Sequence, residues 1–236
     1  MPGKRVAILQ SNYIPWKGYF DLIGSVDEFI LYDDMQYTTE DWRNRNRIKT
    51  PKGAEWITLP VRVTGRAGQR IRDAEIEDDR WREKHWRSLR QNYHRAPFWT
   101  AYAGELEALY LGSAERHLST LNRAFLETLC RWLGITTPLR WDWEYRLGEG
   151  KVNRLVDLCV QAGAGVYLTG PSAKGYFEAD RGIERFAEAG IAVEFMDYSG
   201  YPEYAQLYPP FIHEVTALDL VLNTGPGAAA YLKRRT

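Results

Sequence analysis

The stretch "RVAILQSNYIPWKGYFDLIG", residues 5–24, decides the fold. Its first six residues are a short apolar run bounded by charge and turn formers, which suits a strand buried on both faces of a parallel sheet. Phe20, Leu22 and Ile23 then fall at helical spacing, so a helix is expected from about Gly18. "EFILYDD", residues 28–34, reads as a second strand ending in acids. Strand, turn, helix, strand is a βαβ unit, and such sheets bind ligands beyond the carboxyl ends of their strands. That rule gathers residues 10–18 and 33–37 at one edge.

Further along, "EWITLPVRV" (55–63) reads as a third strand by its β-branched content, with "QRIRDAEIE" (69–77) pairing nearby. Over roughly 78–135 the apolar period becomes helical, through Trp86, Leu89 and Tyr93 and then Leu118, Leu121, Phe125 and Leu129. "KVNRLVDLCVQAGAGVYLTG" (151–170) is a helix that ends at glycines and feeds a buried strand, and "GIERFAEAGIAVEFMDY" (182–198) repeats that pattern. The expected architecture is one α/β domain over 1–236, a parallel-sheet core of nucleotidyltransferase (HUP-like) type with an inserted or capping helical region at 78–135.

The 31 Lys+Arg are matched by 31 Asp+Glu, so no global field steers the chain to nucleic acid or a membrane, and no DNA partner is expected. The balance is local: residues 1–100 hold 18 basic and 14 acidic side chains, which makes the N-terminal part the anion-seeking one. Cys130 and Cys159 lie in apolar helical patterns without CxxC spacing, as reduced core thiols do. No apolar run approaches membrane-spanning length and no signal-peptide signature opens the chain, so a cytoplasmic location is expected. No metal-ligand spacing is present, and no motif names a cofactor.

Three stretches carry candidate chemistry. The first is the turn after the opening strand, with Gln10, Asn12, Trp16, Gly18 and Tyr19. A helix starting there aims free backbone N–H groups at the crevice, and glycine permits close approach. The "WKGY" sequence is similar in glycine placement to the H-x-G-H motif that holds ATP phosphates in nucleotidyltransferases, but both histidines are absent.

The second is "DDMQYTTEDWRNRNRIKT" (33–50). In extended chain Arg43, Arg45, Arg47 and Lys49 share one face, and Asn44 and Asn46 share the other. Arg forks match phosphate oxygens, and Trp42 offers a stacking face. The competing reading is a solvated network with Asp33, Asp34, Glu40 and Asp41. The third is "VYLTGPSAKGYFE" (166–178), in which a buried strand delivers Thr169, Gly170, Ser172 and Lys174 to the same edge, although the Walker pattern is not met. His213 beside Glu214 is a further candidate base.

Together, "AILQSNYIPWKGYFDLI", "DDMQYTTEDWRNRNRIKTPKGAEWITLPV", "VYLTGPSAKGYFE" and "AGIAVEFMDYSGYPEYAQLYPPFIHEVTALDLVLNTGP" resemble the WbqC-like protein family in order and nearly end to end. Ser11 stands where that family usually has proline. The resemblance implies a place in bacterial O-antigen or polysaccharide assembly, with transfer of a glycyl or other aminoacyl group to a sugar, and to this we add secondary-metabolite assembly and acyl transfer. The expected substrate is a small phosphorylated molecule, a nucleotide-sugar, with aminoacyl-tRNA, an acyl carrier or an ATP-made adenylate as donor. In this reading Arg43, Asn44, Arg45, Arg47 and Lys49 hold phosphates and Trp16 and Trp42 form an aromatic wall. Asn12, Asp33, Asp34, Gln36 and His213 orient or deprotonate the acceptor. A non-catalytic nucleotide-sugar or carrier binding module and an ATP-dependent ligase are the alternatives.

Overall fold

In the computed structural model, which describes residues 3–179 and 181–233, the opening strand is β1 (Lys4–Leu9). It is followed by α1 (Lys17–Gly24) and β2 (Glu28–Leu31), the expected βαβ unit. An antiparallel ribbon, β3 (Arg45–Thr50) and β4 (Gly53–Thr58), comes next. Helices α2 (Arg80–Tyr93), α3 (Trp99–Leu111) and α4 (Leu118–Trp132) then precede β5 (Leu139–Trp141). The chain continues through α5 (Lys151–Gln161), β6 (Ala164–Thr169), α6 (Lys174–Ala179), α7 (Gly182–Glu188), β7 (Ala192–Phe195) and α8 (Ala217–Thr224).

The main sheet has the order β5-β2-β1-β6-β7, and every pairing in it is parallel. Counting only the sheet's own strands, this is the order 3-2-1-4-5 of doubly wound nucleotide-binding folds. The order reverses between β1 and β6, and there the connections leave for opposite sides and open a crevice.

Strand alternation explains how both faces are covered. Ala7, Phe29, Leu31 and Leu168 join a core with α1, α2, α3, α4 and α8, while Val6, Ile8, Ile30, Tyr32 and Tyr167 join one with α5, α6 and α7. The first of these cores includes Phe20 and Ile23 of α1 together with Leu89, Leu106, Leu121 and Phe125 of the helical region. The helices therefore pack directly on the α/β layer.

The strand expected in "EWITLPVRV" is present as Gly53–Thr58, ending five residues earlier than expected, and it pairs antiparallel with β3, with Arg47 opposite Trp56, in a separate two-stranded ribbon. The "QRIRDAEIE" segment contributes three isolated bridges, Arg70 to Gln36, Ile76 to Val61 and Glu75 to His117, and a short 3-10 turn at Ile71–Asp73. A β-branched run reports a pleated, half-buried setting and is silent about which sheet provides it.

Candidate functional site

Residues 10–16, between β1 and α1, are fixed from behind. The Ser11 N–H donates to Asp33 Oδ1 at 2.8 Å, and the Ser119 hydroxyl donates to Asp33 Oδ2. Asn122 Nδ2 on α4 donates to Ser11 Oγ (3.1 Å) and to the Arg43 carbonyl (2.9 Å). The Tyr13 N–H donates to the Trp42 carbonyl at 3.0 Å, and Asn46 Nδ2 donates to the Tyr13 carbonyl at 3.1 Å. Ile14 takes φ +36°, a left-handed conformation that a β-branched residue holds only where its surroundings enforce it. The turn is thus a rigid wall with known anchors.

At the start of α1, a Cβ added to Gly18 would lie 2.3 Å from the Trp16 indole. The glycine serves the tryptophan: only a bare α-carbon lets the ring lie flat against the helix. The ring's other neighbours are Tyr198 and Tyr201, at centroid distances of 5.2 and 5.9 Å. The Tyr19 hydroxyl donates to the Gln10 carbonyl at 2.8 Å.

These groups border a cavity of about 450 Å³ over the carboxyl ends of β1 and β6. From the first stretch it is lined by Gln10, Asn12, Trp16 and Tyr19, and from the second by Trp42 and Arg43. The β6 loop closes the opposite side with Thr169, Gly170 and Ser172. Arg43 Nη1 donates to Asn12 Oδ1 at 3.0 Å, so the one arginine in the lining is aimed by the one asparagine. Burial pushes the Tyr198 phenol up to about 12 and the Tyr19 phenol well above the ordinary tyrosine range, with Asp33 adding to the latter. Both remain hydroxyl donors at neutral pH.

The remaining candidates lie elsewhere. Asp33 is fully buried, and burial raises its carboxyl pKa against the opposing bonds from Ser119 and Ser11. Asp34 ties Arg70, Arg72 and Arg154 together at 2.9, 3.2 and 3.0 Å. Gln36 is exposed and bridges Arg70 through its backbone. His213 packs edge-on against Phe211, and burial together with Lys17 lowers its pKa.

The cationic run is divided as well. Arg43 precedes β3 and turns into the cavity, whereas Arg45 and Arg47 lie over the Trp56 ring. Lys49 is buried with Nζ donating to the Pro210 carbonyl, and Asn44 donates to the Leu59 carbonyl at 2.9 Å. Lys174 extends over the Phe195 ring instead of into the cavity.

Among the described residues no group of three or more His, Cys, Asp or Glu could hold a metal ion. Cys130 and Cys159 are both buried and unpaired, and burial pushes the Cys130 thiol up to about 12 and that of Cys159 further. Neither lines the cavity, so the lining has aromatic walls, amide and hydroxyl groups, cations and the Asp41 carboxylate, but no thiol nucleophile. The arrangement suits binding of a ring and an anion side by side.

The family model described as the WbqC-like protein family matches residues 10–231. The chain belongs to the WbqC-like family. The match opens at Gln10, the first residue of the cavity-lining turn. An uncharacterized protein of Mycobacterium tuberculosis is 51% identical over 231 residues, covering 98% of both chains. No solved structure matches the chain at a significant level. No helix among the described residues is long and apolar enough to cross a membrane.

This WbqC-like chain also brings to the cavity two residues that pattern reading missed, Lys151 and Tyr198, and with them Met35 of the 33–37 edge and Asp41 of the expected ion-pair network. Lys151 had a usable signal, as the first residue of a helix that follows Gly150 and rises from the same sheet edge. Tyr198 had none, because the segment after β7 folds back over Trp16 through contacts 182 positions apart in sequence.

Proposed function

We propose that this WbqC-like protein is a transferase that holds a nucleotide-linked sugar in the β1–β6 crevice and moves an aminoacyl or acyl group onto it. The setting inferred is bacterial surface-polysaccharide or secondary-metabolite assembly. One observation carries the reading: the 450 Å³ cavity lies where the strand order reverses, and it sets indole and phenol rings beside a guanidinium and hydroxyls. In it Arg43, with Lys151, Thr169 and Ser172, receives the phosphates; Trp16, Trp42 and Tyr198 receive the base or sugar ring; and Asn12, already accepting from Arg43, orients the acceptor group. Catalysis is then a matter of placement and fixed dipoles. ATP activation of the nucleotidyltransferase kind has weaker support, because no imidazole lines the cavity.

A second reading, a binding module that presents a nucleotide-sugar to a partner enzyme, is favoured by the state of Asp41. This carboxylate in the lining is committed to the Thr38 hydroxyl and the Trp42 N–H, 2.8 and 2.7 Å away, and it faces Arg43 at 3.6 Å. Native mass spectrometry of the purified protein with UDP-, GDP-, CDP- and dTDP-hexoses tests the shared premise. A one-to-one adduct with at least one is expected; no adduct with any of them sinks both readings. Adding aminoacyl-tRNA, acyl thioesters, or ATP with amino acids then separates the two, since a transferase changes the mass of the sugar and a binding module leaves it unaltered.

A further inference from the structure

The β3–β4 ribbon carries a feature that cavity binding leaves unexplained. Arg45, Arg47, Trp56 and Thr58 share one of its faces, because Arg45 pairs with Thr58 and Arg47 with Trp56 across the ladder. The reverse face, with Asn46, Ile48 and Ile57, is buried. Trp56 is 46% exposed and neighbouring Trp42 is 42% exposed, with ring centroids 5.3 Å apart. The Arg45 guanidinium lies 4.4 Å from the Trp56 ring centroid and that of Arg47 5.6 Å. Both Nε atoms are covered and have no hydrogen-bond partner. Arg45 has one distant carboxylate, Glu40, at 3.7 Å, itself 82% exposed. Arg47 forms no salt bridge among the described residues.

We propose that this face is a docking platform for an unpaired stretch of RNA. Unpaired bases stack on indole rings and on guanidinium planes alike, and the guanidinium edges left over donate to the connecting phosphates. A glycan fits less well, since it brings donors as well as acceptors and no charge, whereas this face offers cationic donors. A duplex fits less well too: its bases are already stacked on each other, and a chain of zero net charge lacks the long basic footprint that duplex binding uses. The exposed Thr58 hydroxyl, on the same face, offers a partner for a ribose 2′-hydroxyl, which favours RNA over DNA. Because Trp42 and Arg43 belong to the cavity lining, a strand lying on the platform brings its end to the cavity mouth. Binding of RNA here does not depend on what fills the cavity.

Fluorescence anisotropy with a short labelled single-stranded RNA, beside the same sequence as DNA and as RNA duplex, tests this. Single-stranded RNA is expected to bind at micromolar concentration or tighter and better than the other two. Trp56→Ala and Arg47→Ala should each weaken it about tenfold or more. Arg47→Lys, which keeps the charge and loses the plane, should lose most of that affinity as well. Trp56 is exposed, so circular dichroism should show an unchanged fold, and nucleotide-sugar adducts should persist in Trp56→Ala. Absence of RNA binding, equal binding of duplex or DNA, or wild-type affinity in both alanine variants overturns the proposal. Loss of nucleotide-sugar binding in Trp56→Ala also overturns it, by making Trp56 part of the cavity wall.

Discussion

The two loops that face each other across the cavity are built in opposite ways. Residues 10–16 are held by Asp33, Asn122, Asn46 and the Trp42 carbonyl, which take the Ser11 N–H and hydroxyl and the Tyr13 N–H and carbonyl from behind the wall. Across from it, the β6 loop is secured mainly through its backbone: the Thr169 carbonyl accepts from the Met196 N–H at 2.8 Å and the Gly170 carbonyl from the Ala173 N–H at 3.1 Å. Ser172 is exposed, and a Cβ on Gly170 would meet nothing nearer than 3.8 Å. One wall is preorganised by the fold, and the other offers hydroxyls and backbone for a ligand to order. Preorganisation of this kind lowers the entropy cost of binding on one side only.

The largest effect should come from breaking the fixed wall at its tightest point. Gly18→Val drives a branched side chain into the Trp16 indole, so ligand binding should disappear and stability should fall by roughly 1–3 kcal/mol, as overpacking costs. Calorimetric titration with a nucleotide-sugar and denaturant melts read the two losses, and full affinity in this variant would remove Trp16 from the site.

Next comes Asn122→Ala, which touches no ligand. It leaves the Arg43 carbonyl and the Ser11 hydroxyl without their donor, at a cost of about 1–3 kcal/mol in stability, with a smaller loss of affinity as Arg43 drifts. Wild-type urea midpoint and affinity together would mean that α4 does not hold the wall.

A pH dependence should sharpen the contrast further. Behind the fixed wall, Asp142 Oδ2 accepts from the Asp34 N–H at 2.9 Å, while burial, with Asp33 and Asp34 nearby, pushes its carboxyl up to about 7. A raised carboxyl pKa means the folded state takes up a proton that the unfolded chain releases near 3.8. Its contribution is complete below that value and is lost as pH rises through about 7. Asp142→Asn should therefore flatten the stability profile between these limits in chemical melts, and an unaltered profile would show that Asp142 titrates normally.

The smallest effect belongs to the opposite loop. Ser172→Ala should leave stability within about 0.5 kcal/mol of wild type, as exposed substitutions do, and should weaken ligand binding by about 1 kcal/mol. A melt shifted as far as that of Asn122→Ala would erase the difference between the walls.

Much of the frame was legible in local pattern. The apolar run at β1, the helical spacing after Gly18 and the acids after β2 sufficed for the βαβ unit and for the edge that carries the cavity. The division of the basic run was not legible. Alternation assigns Arg43, Arg45, Arg47 and Lys49 to one face, yet Arg43 sits in the turn before β3, where the Asn44 N–H donates to the Asp41 carbonyl at 3.2 Å. Lys49 is covered by a segment 161 positions away, whose Pro210 carbonyl takes its ammonium. Periodicity describes a strand's two faces but says nothing of which later segment covers one end of a face. Asp33 misled in another way: an acid at a strand's carboxyl end has the position of a catalytic base, and here both its oxygens hold Ser11 and Ser119 in place.

The most direct test of the central claim is calorimetric titration of nucleotide-sugars into wild-type protein, Arg43→Ala and Arg47→Ala. If the crevice is the binding site, one nucleotide-sugar binds the wild type, Arg43→Ala loses about 1.5–3 kcal/mol, the range of a charge-assisted hydrogen bond, and Arg47→Ala binds unchanged. Equal losses in the two variants, or no heat of binding with any nucleotide-sugar, would contradict the assignment.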